Sequence, residues 1–516
     1  MNHPRSVVML CAMAAALFVT GIYAGELGQE LAVPHRLRDG DEYRISKRRL
    51  IEYGRELFQA KWTSAEGAGR PLTKGNGLPM SDPGDPLTFP RAFNRISGPD
   101  SNSCAGCHNE PVSGGAGDIV ANVFVLANRF DFATFDSEDM TPTRGTRDER
   151  GTPTKLQTIG NSRHTIGMFG SGYIEMLARQ ITADLQDIRN GVAPGGGRAL
   201  ISKGISFGVL RRRADGTWDT SRVEGLAPDS LSSADAQHPP SLIIRPFHQA
   251  GNVISLRQFT NNAFNQHHGM QSTERFGMYT DPDGDGVINE LNRADITAVT
   301  LFQATLPVPG RRIPRFGFIR NAIANGEAKF AAIGCAGCHI PSLPLDKHGW
   351  IFTEPSPYNP VGNASAADTQ VLSIDLTGYE LPGPHLKPVD GIVSVAAFTD
   401  FKLHVITSGP GDPNREALNM NVEATSKAFF GGNSSFLTRR LWGAGNQGPY
   451  FHHGQFTTLR EAIVAHSGEA LAARLAFQAL DERSQGSIIE FLKSLRVLSA
   501  DTQELVDEPD GDDRER

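Results

Sequence analysis

The chain has 516 residues, too many for one hydrophobic core, and its length suggests two to four domains. A formal net charge of −7 with no basic stripe excludes nucleic acid as a natural partner. The 55 glycines and 32 prolines favour long loops around short helices over a tight bundle.

Residues 1–24 have the layout of an export signal. Arg5 supplies a positive start, Val7 to Ala24 is apolar, and the chain turns polar at Gly25-Glu26. The apolar run is near the lower length for a membrane span, so an uncleaved anchor is the alternative. Cys11 reads as a core residue of this signal. No later segment is long and apolar enough to span a bilayer, and the expected location is periplasmic or secreted.

Lys47–Trp62 predicts a helix, with Leu50, Tyr53, Gly54, Leu57 and Phe58 on one face. Loop signals at 82–86 and 98–100 follow. They lead to Cys104-Ala-Gly-Cys107-His108, which recurs as Cys335-Ala-Gly-Cys338-His339. A Cys-x-x-Cys-His run is the attachment pattern of c-type haem. The two thiols add across the haem vinyl groups, and the next histidine is held under the iron. One copy also suits a redox dithiol or half of a zinc site; two copies with the same filler do not. The motifs use four of the five cysteines and leave no pair for a disulfide. Two covalently bound haem c groups are therefore expected, with His108 and His339 as proximal ligands. Such haem is assembled outside the cytoplasm, in agreement with the signal.

Phe169–Arg189 predicts a helix with Tyr173, Ile174, Met176, Leu177 and Ile181 on its apolar face. Residues 201–240 read as a β-hairpin and a polar loop, and Ser255–Gln266 as another helix. Asp281, Asp283, Asp285 and Asn289 then stand at positions one, three, five and nine of an acidic loop with Gly286 at six. That is the first part of a calcium loop. Position twelve is Asn292 rather than a bidentate glutamate, and the alternative is a solvated acidic turn.

Asp295–Leu306 predicts a helix stopped by Pro307 and Pro309. Arg320–Ile333 is helical and runs into the second haem motif, and 341–400 reads as Pro/Gly-rich loop. Thr458–His466 and Ser484–Leu498 are the last helices. The tail 501–516 carries eight acidic residues and is expected to be disordered.

The chain repeats itself. Gly54-Arg-Glu-Leu-Phe58 precedes the first motif and Gly326-Glu-Ala-Lys-Phe330 the second. Pro246-Phe-His-Gln-Ala-Gly-Asn-Val-Ile-Ser-Leu-Arg257 is matched by Pro449-Tyr-Phe-His-His-Gly-Gln-Phe-Thr-Thr-Leu-Arg460. Each half closes with a similar helix, and they join near 307–314. The expected class is mainly α, with two tandem cytochrome c-type domains (25–310 and 311–500), long loops and few short strands.

The two motifs, Thr63-Ser-Ala-Glu-Gly67, Phe401-Lys-Leu-His404, Leu437-Thr-Arg-Arg-Leu-Trp-Gly443 and Pro449-Tyr-Phe-His-His-Gly454 together carry a resemblance. Over about 45–500 the chain resembles the bacterial di-haem cytochrome c peroxidase superfamily, nearest its di-haem oxidoreductase branch. The resemblance implies peroxide or related oxidant as substrate. It also implies a small redox protein or quinone-linked donor as partner, with electrons entering at the second haem. The alternatives are a non-enzymatic electron carrier, and oxygenase or cofactor-maturation chemistry.

The face opposite each proximal histidine decides function, because a strong sixth ligand makes an electron-transfer haem and an open face binds oxidant. His466 is expected to ligate the second iron, where the resembling families place a Met, Tyr or His. His452 and His453 suit hydrogen bonding to a haem propionate or backbone. At the first haem, relatives have a Glu-Met pair; here Met270 follows His267 and His268 instead. Those histidines are expected to act as distal acid/base or to close the iron, or else are ordinary loop residues. Glu175 is the other acid/base candidate, and Trp442 is either an electron relay or core.

Overall fold

The structure, a computed structural model, describes residues 28–69, 101–123, 160–281, 285–315, 317–419, 421–422, 428, 431–499 and 502–509. The signal segment 1–24 with Cys11, the loop signals at 82–86 and 98–100, Asp283, and 501 and 510–516 of the tail lie outside the described residues.

Two helix pairs carry the repeat. In the first half, α1 (Lys47–Gln59) crosses a helix that begins at Arg293, and the crossing is possible because position 54 has no side chain. A Cβ on Gly54 would sit 2.0 Å from Ala298 O. Ser46 caps α1 by accepting from Arg49 N at 3.2 Å. Next come α2 (Ser171–Asn190), α3 (Leu256–Ala263) and a π-helical turn over Phe264–His268, and α4 is the crossing helix itself, Arg293–Ala304. In the second half, α5 (Phe318–Ala332) crosses α8 (Glu482–Ser494), with α6 (Leu459–Ala465) and α7 (Leu471–Gln478) between them. Here a Cβ on Gly326 would sit 1.9 Å from Ser487 O. Phe58 fills the first crossing against Phe302 at 5.2 Å and 57°, and Phe330 fills the second against Phe491 at 5.4 Å and 59°.

The mainly α expectation is overturned. Of the described residues 33% are helical and 16% strand, a mixed α/β fold with several small sheets. The strands pair into short ladders, four of them within 341–400, which reads as loop in the sequence. β1 (Gly117–Val123) pairs with β2 (Gly160–Thr165), and β3 (Gly197–Ser202), β4 (Ile205–Arg212) and β5 (Trp218–Asp219) form a meander. β6 (Gly310–Arg312) starts a strap described below. β7 (Leu343–Leu345) pairs with β10 (Val393–Val395), and β8 (Ile351–Glu354) with β9 (Leu372–Asp375). β11 (Leu403–Val405) pairs with β12 (Ser435–Leu437). Strands of three or four residues leave too little alternation to read as strands.

Part of the acidic tail is ordered, contrary to expectation. β14 (Val506–Asp507) runs parallel to β6, which pairs on its other side with β13 (Leu495–Arg496). Backbone pairing to β6 holds this segment despite its charge. The hydrophobic core also ignores the expected boundary at 310. Leu343, Leu345, Phe352, Val393 and Val395 join the large cluster built on α2 and α4, while a smaller cluster gathers Phe330, Phe398, Phe477, Ile488 and Phe491. Among the described residues no helix is long and apolar enough to cross a membrane.

Candidate functional site

Each Cys-Ala-Gly-Cys run forms a single helical turn. His108 N donates to Cys104 O at 2.9 Å, and His339 N to Cys335 O at 3.0 Å. That turn puts the first and fourth residues on one side. Among the described residues, Cys104, Cys107, Cys335 and Cys338 form no disulfide.

The proximal histidines are held alike. His108 Nδ1 bonds Gly115 O at 3.1 Å, and His339 Nδ1 bonds Phe398 O at 3.2 Å. A backbone carbonyl on Nδ1 fixes the tautomer, with Nε2 as the acceptor nitrogen. Phe58 lies 6.2 Å from the His108 ring at 50°, and Phe330 lies 6.3 Å from the His339 ring at 51°. Burial pushes both imidazoles down to about 4. They are neutral at neutral pH, as ligation requires.

Both motifs open on one cavity of about 830 Å³. Its wall includes Arg439 and Arg440, neither of which has a carboxylate partner among the described residues. Arg439 Nη1 meets His164 Nδ1 at 2.5 Å, and Arg440 Nη2 donates to Gly167 O. Burial pushes Arg439 down to about 10 and Arg440 down to about 9. Desolvated cations without counter-ions are costly. A group that brings carboxylates into the cavity offsets that cost. Haem carries two propionates, so thiols, neutral histidines and arginines together fit it.

The two halves then diverge at equivalent positions. The loop 246–251 and the loop 449–454 share their backbone: Phe247 bridges Val253 as Tyr450 bridges Phe456, and His248 and Phe451 both have φ of 70°. The helices that follow are capped alike, by Ser255 accepting from Gln258 N at 3.1 Å and Thr458 accepting from Glu461 N at 3.2 Å. On this register His466, seven residues into the second helix segment, corresponds to Ala263. Both line the cavity. His466 Nδ1 bonds Ala462 O at 2.7 Å, the same tether the proximal histidines have, and its ring packs on Phe451 at 5.4 Å. Ala263 has no donor atom. The two loops align in the sequence, but the equivalence of Ala263 and His466 rests on the shared helix caps that fix the register.

His267 and His268 are the last two residues of the π-helical turn. His268 is buried, with Nδ1 on Ser101 O at 2.7 Å and Nε2 at 3.4 Å from Cys104 Sγ. His267 is half-buried on the cavity wall. Glu175 does not reach the cavity wall. Its Oε1 takes Arg179 Nη2 at 2.6 Å and its Oε2 takes Leu256 N at 2.8 Å, so it ties α2 to α3. Trp442 packs over Gly170 inside the large core. His453 Nε2 is held by Asn414 Oδ1 at 2.9 Å, and His452 stacks on Phe436 at 3.7 Å.

In the acidic loop, Asp281 accepts from Asp285 N at 3.1 Å and Gly286 N at 3.0 Å, and Asn289 accepts from Tyr279 N at 2.8 Å. Asn292, the twelfth position, caps α4 by accepting from Asp295 N at 2.9 Å. Among the described residues, Cys338, Asp400 and His404 bring ligand atoms within 4.8 Å of one another. His404 is clamped between Asp400 Oδ2 at 2.8 Å and Glu469 Oε2 at 2.7 Å.

No curated protein matches the chain. Among solved structures, hydrazine synthase of Kuenenia stuttgartiensis, pressurised with 20 bar xenon, is similar at 12% identity with a TM-score of 0.33. That match covers 90% of this chain and 95% of the other, and at this TM-score it carries no argument. Residues 391–495 match the family model described as "Di-haem oxidoreductase, putative peroxidase", and over that stretch this chain is similar to the haem-binding oxidoreductases of that family.

Proposed function

We propose that the chain is an exported di-haem c-type oxidoreductase that reduces peroxide or a related small oxidant at the first haem site. Electrons enter through the second site from a small redox protein or quinone-linked donor. The observation that carries this reading is Ala263 standing where the other half has His466. Haem iron with a free sixth position binds and activates oxidant, whereas iron with two strong axial ligands transfers electrons. Cys104, Cys107 and His108 would hold the first haem, and Cys335, Cys338, His339 and His466 the second. Phe451 shields His466, which suits a site that exchanges electrons and excludes ligands.

The acidic loop supports a calcium ion only through its oxygen pattern at Asp281, Asp283, Asp285 and Asn289; metal analysis of the dialysed protein tests that part. For the whole reading, intact mass of the mature chain should exceed the bare polypeptide by two haems. The pre-reduced protein should then consume peroxide stoichiometrically. A second reading, an electron carrier, is favoured if His267 closes the first site, since it stands on the cavity wall. Absence of any peroxide reaction by a fully loaded protein would support that carrier instead.

A further inference from the structure

We propose that His164 and Arg439 form the bridge by which an electron passes from the second haem site to the first. The inference rests on the reading of the chain as a di-haem protein in which electrons enter at the second site. One iron is oxidised from ferrous to ferric and the other reduced from ferric to ferrous, with no bond broken and no proton moved.

The two proximal histidines are backed by equivalent segments, 164–170 and 437–443. Thr165 stands with Thr438, and Gly170 and Gly443 both take left-handed backbone, with φ of 72° and 85°. Met168 N donates to Gly114 O at 2.8 Å, and Leu441 N to Ala397 O at 3.0 Å. Those acceptors directly precede Gly115 and Phe398, whose carbonyls hold His108 and His339. On this register Ile166 corresponds to Arg439. The Ile166 backbone lies beside the His108 ring and the Arg439 backbone beside the His339 ring, each opposing the drop in pKa that burial imposes.

The symmetry breaks in the side chains. Ile166 has no polar atom with which to reach across, whereas the Arg439 side chain crosses into the first half and meets His164 Nδ1 at 2.5 Å. A guanidinium only donates, so this nitrogen is the acceptor. Burial and the Arg439 charge push His164 down to about 2, so the ring is neutral, and it is close enough to His108 to feel that residue's charge. Its backbone is fixed on both sides, as His164 N donates to His452 O at 3.0 Å and Gln249 Nε2 donates to His164 O at 2.9 Å. Arg440 closes the same joint by donating to Gly167 O and to Ser171 Oγ at 3.3 Å.

Between the two proximal rings there is thus one side chain, one hydrogen bond and one imidazole. Electronic coupling decays more slowly through covalent and hydrogen bonds than across gaps, which favours this route. Trp442, the aromatic nearest in sequence, belongs to the large core and does not reach the cavity wall, whereas His164 and Arg439 both line it.

The test uses the full-length, haem-loaded protein. A light-driven reductant delivers one electron to the oxidised protein, and the optical bands of the two haems report its arrival at the second and then at the first. His164→Phe and His164→Leu both remove the acceptor and keep the Arg439 charge, and two variants guard against one that fails to fold. Each should slow transfer to the first haem several-fold, with haem content and both midpoint potentials unchanged. His164→Gln still offers an oxygen to Arg439 and should retain most of the rate, a rescue that a merely structural role would not give. Trp442→Phe should transfer at the wild-type rate. Wild-type rates in both apolar variants overturn the inference, as does slowing confined to Trp442→Phe. A wild-type first haem that never reacts with peroxide overturns the peroxide reading and leaves the bridge standing.

Discussion

His268 Nε2 lies 3.4 Å from Cys104 Sγ, while the other ring nitrogen is tied to Ser101 O at 2.7 Å. This histidine braces the attachment turn of the first motif. His268→Ala should therefore lower stability by about 1–3 kcal/mol, read as a shifted denaturation midpoint with unchanged slope. It should reduce the rate of peroxide consumption by less than about tenfold. An acid/base role for His268 would cost at least about 100-fold.

The proposed open first site rests on one missing side chain, at Ala263. Ala263→His restores at the first site the residue that His466 provides at the second. The first haem should become six-coordinate in the oxidised protein, with peroxide consumption reduced by about 100-fold or more. His466→Ala should do the reverse and open the second haem. Retained peroxide turnover in an Ala263→His protein whose first haem is visibly six-coordinate would contradict the assignment of that haem as the reactive one.

The helix crossings make a stability prediction. Gly326→Ala forces a Cβ to within 1.9 Å of Ser487 O, and the backbone must move apart. Overpacking of this kind costs about 1–3 kcal/mol, with more expected where backbone is the obstacle. Gly54→Ala should behave alike, since its Cβ would meet Ala298 O at 2.0 Å. Urea unfolding of the loaded protein measures both.

How much of this was legible in the sequence differs by element. The helix pairs were readable because Gly54 and Gly326 each precede an aromatic at fixed spacing, and because capping residues such as Ser255 and Thr458 mark the helix starts. The haem motifs were readable for the same reason: local spacing encodes local geometry. Residues 341–400 were not, since strands such as Leu343–Leu345 are too short for periodicity and their core partners lie on α2. The contact between Arg163 and His248 was not legible, because it depends on how β2 meets a loop 85 residues away. Glu175 looked available from its helix position, and only the fold shows both oxygens in use.

His404 makes stability depend on pH. Burial alone would lower its pKa, but the hydrogen bonds to Asp400 and Glu469, with Cys338 alongside, push it up to about 11 from the usual 6.5. The folded state thus holds this proton more tightly than the unfolded chain does. The stabilisation is complete below about pH 6.5 and is lost as pH rises towards 11. Denaturation midpoints should fall across that window in the native protein. The His404→Gln variant should be less stable at pH 6 and show a flatter profile. Equal slopes in the two proteins would exclude His404 as the cause.

The central claim is that the two haem sites differ in their sixth ligand. Electron paramagnetic resonance of the fully oxidised, haem-loaded protein tests it most directly. The account predicts one high-spin signal from the site with Ala263 and one low-spin, bis-histidine signal from the site with His339 and His466. The high-spin signal should disappear on adding cyanide, and the low-spin signal should not change. Two low-spin signals of equal weight, both insensitive to cyanide, would contradict it.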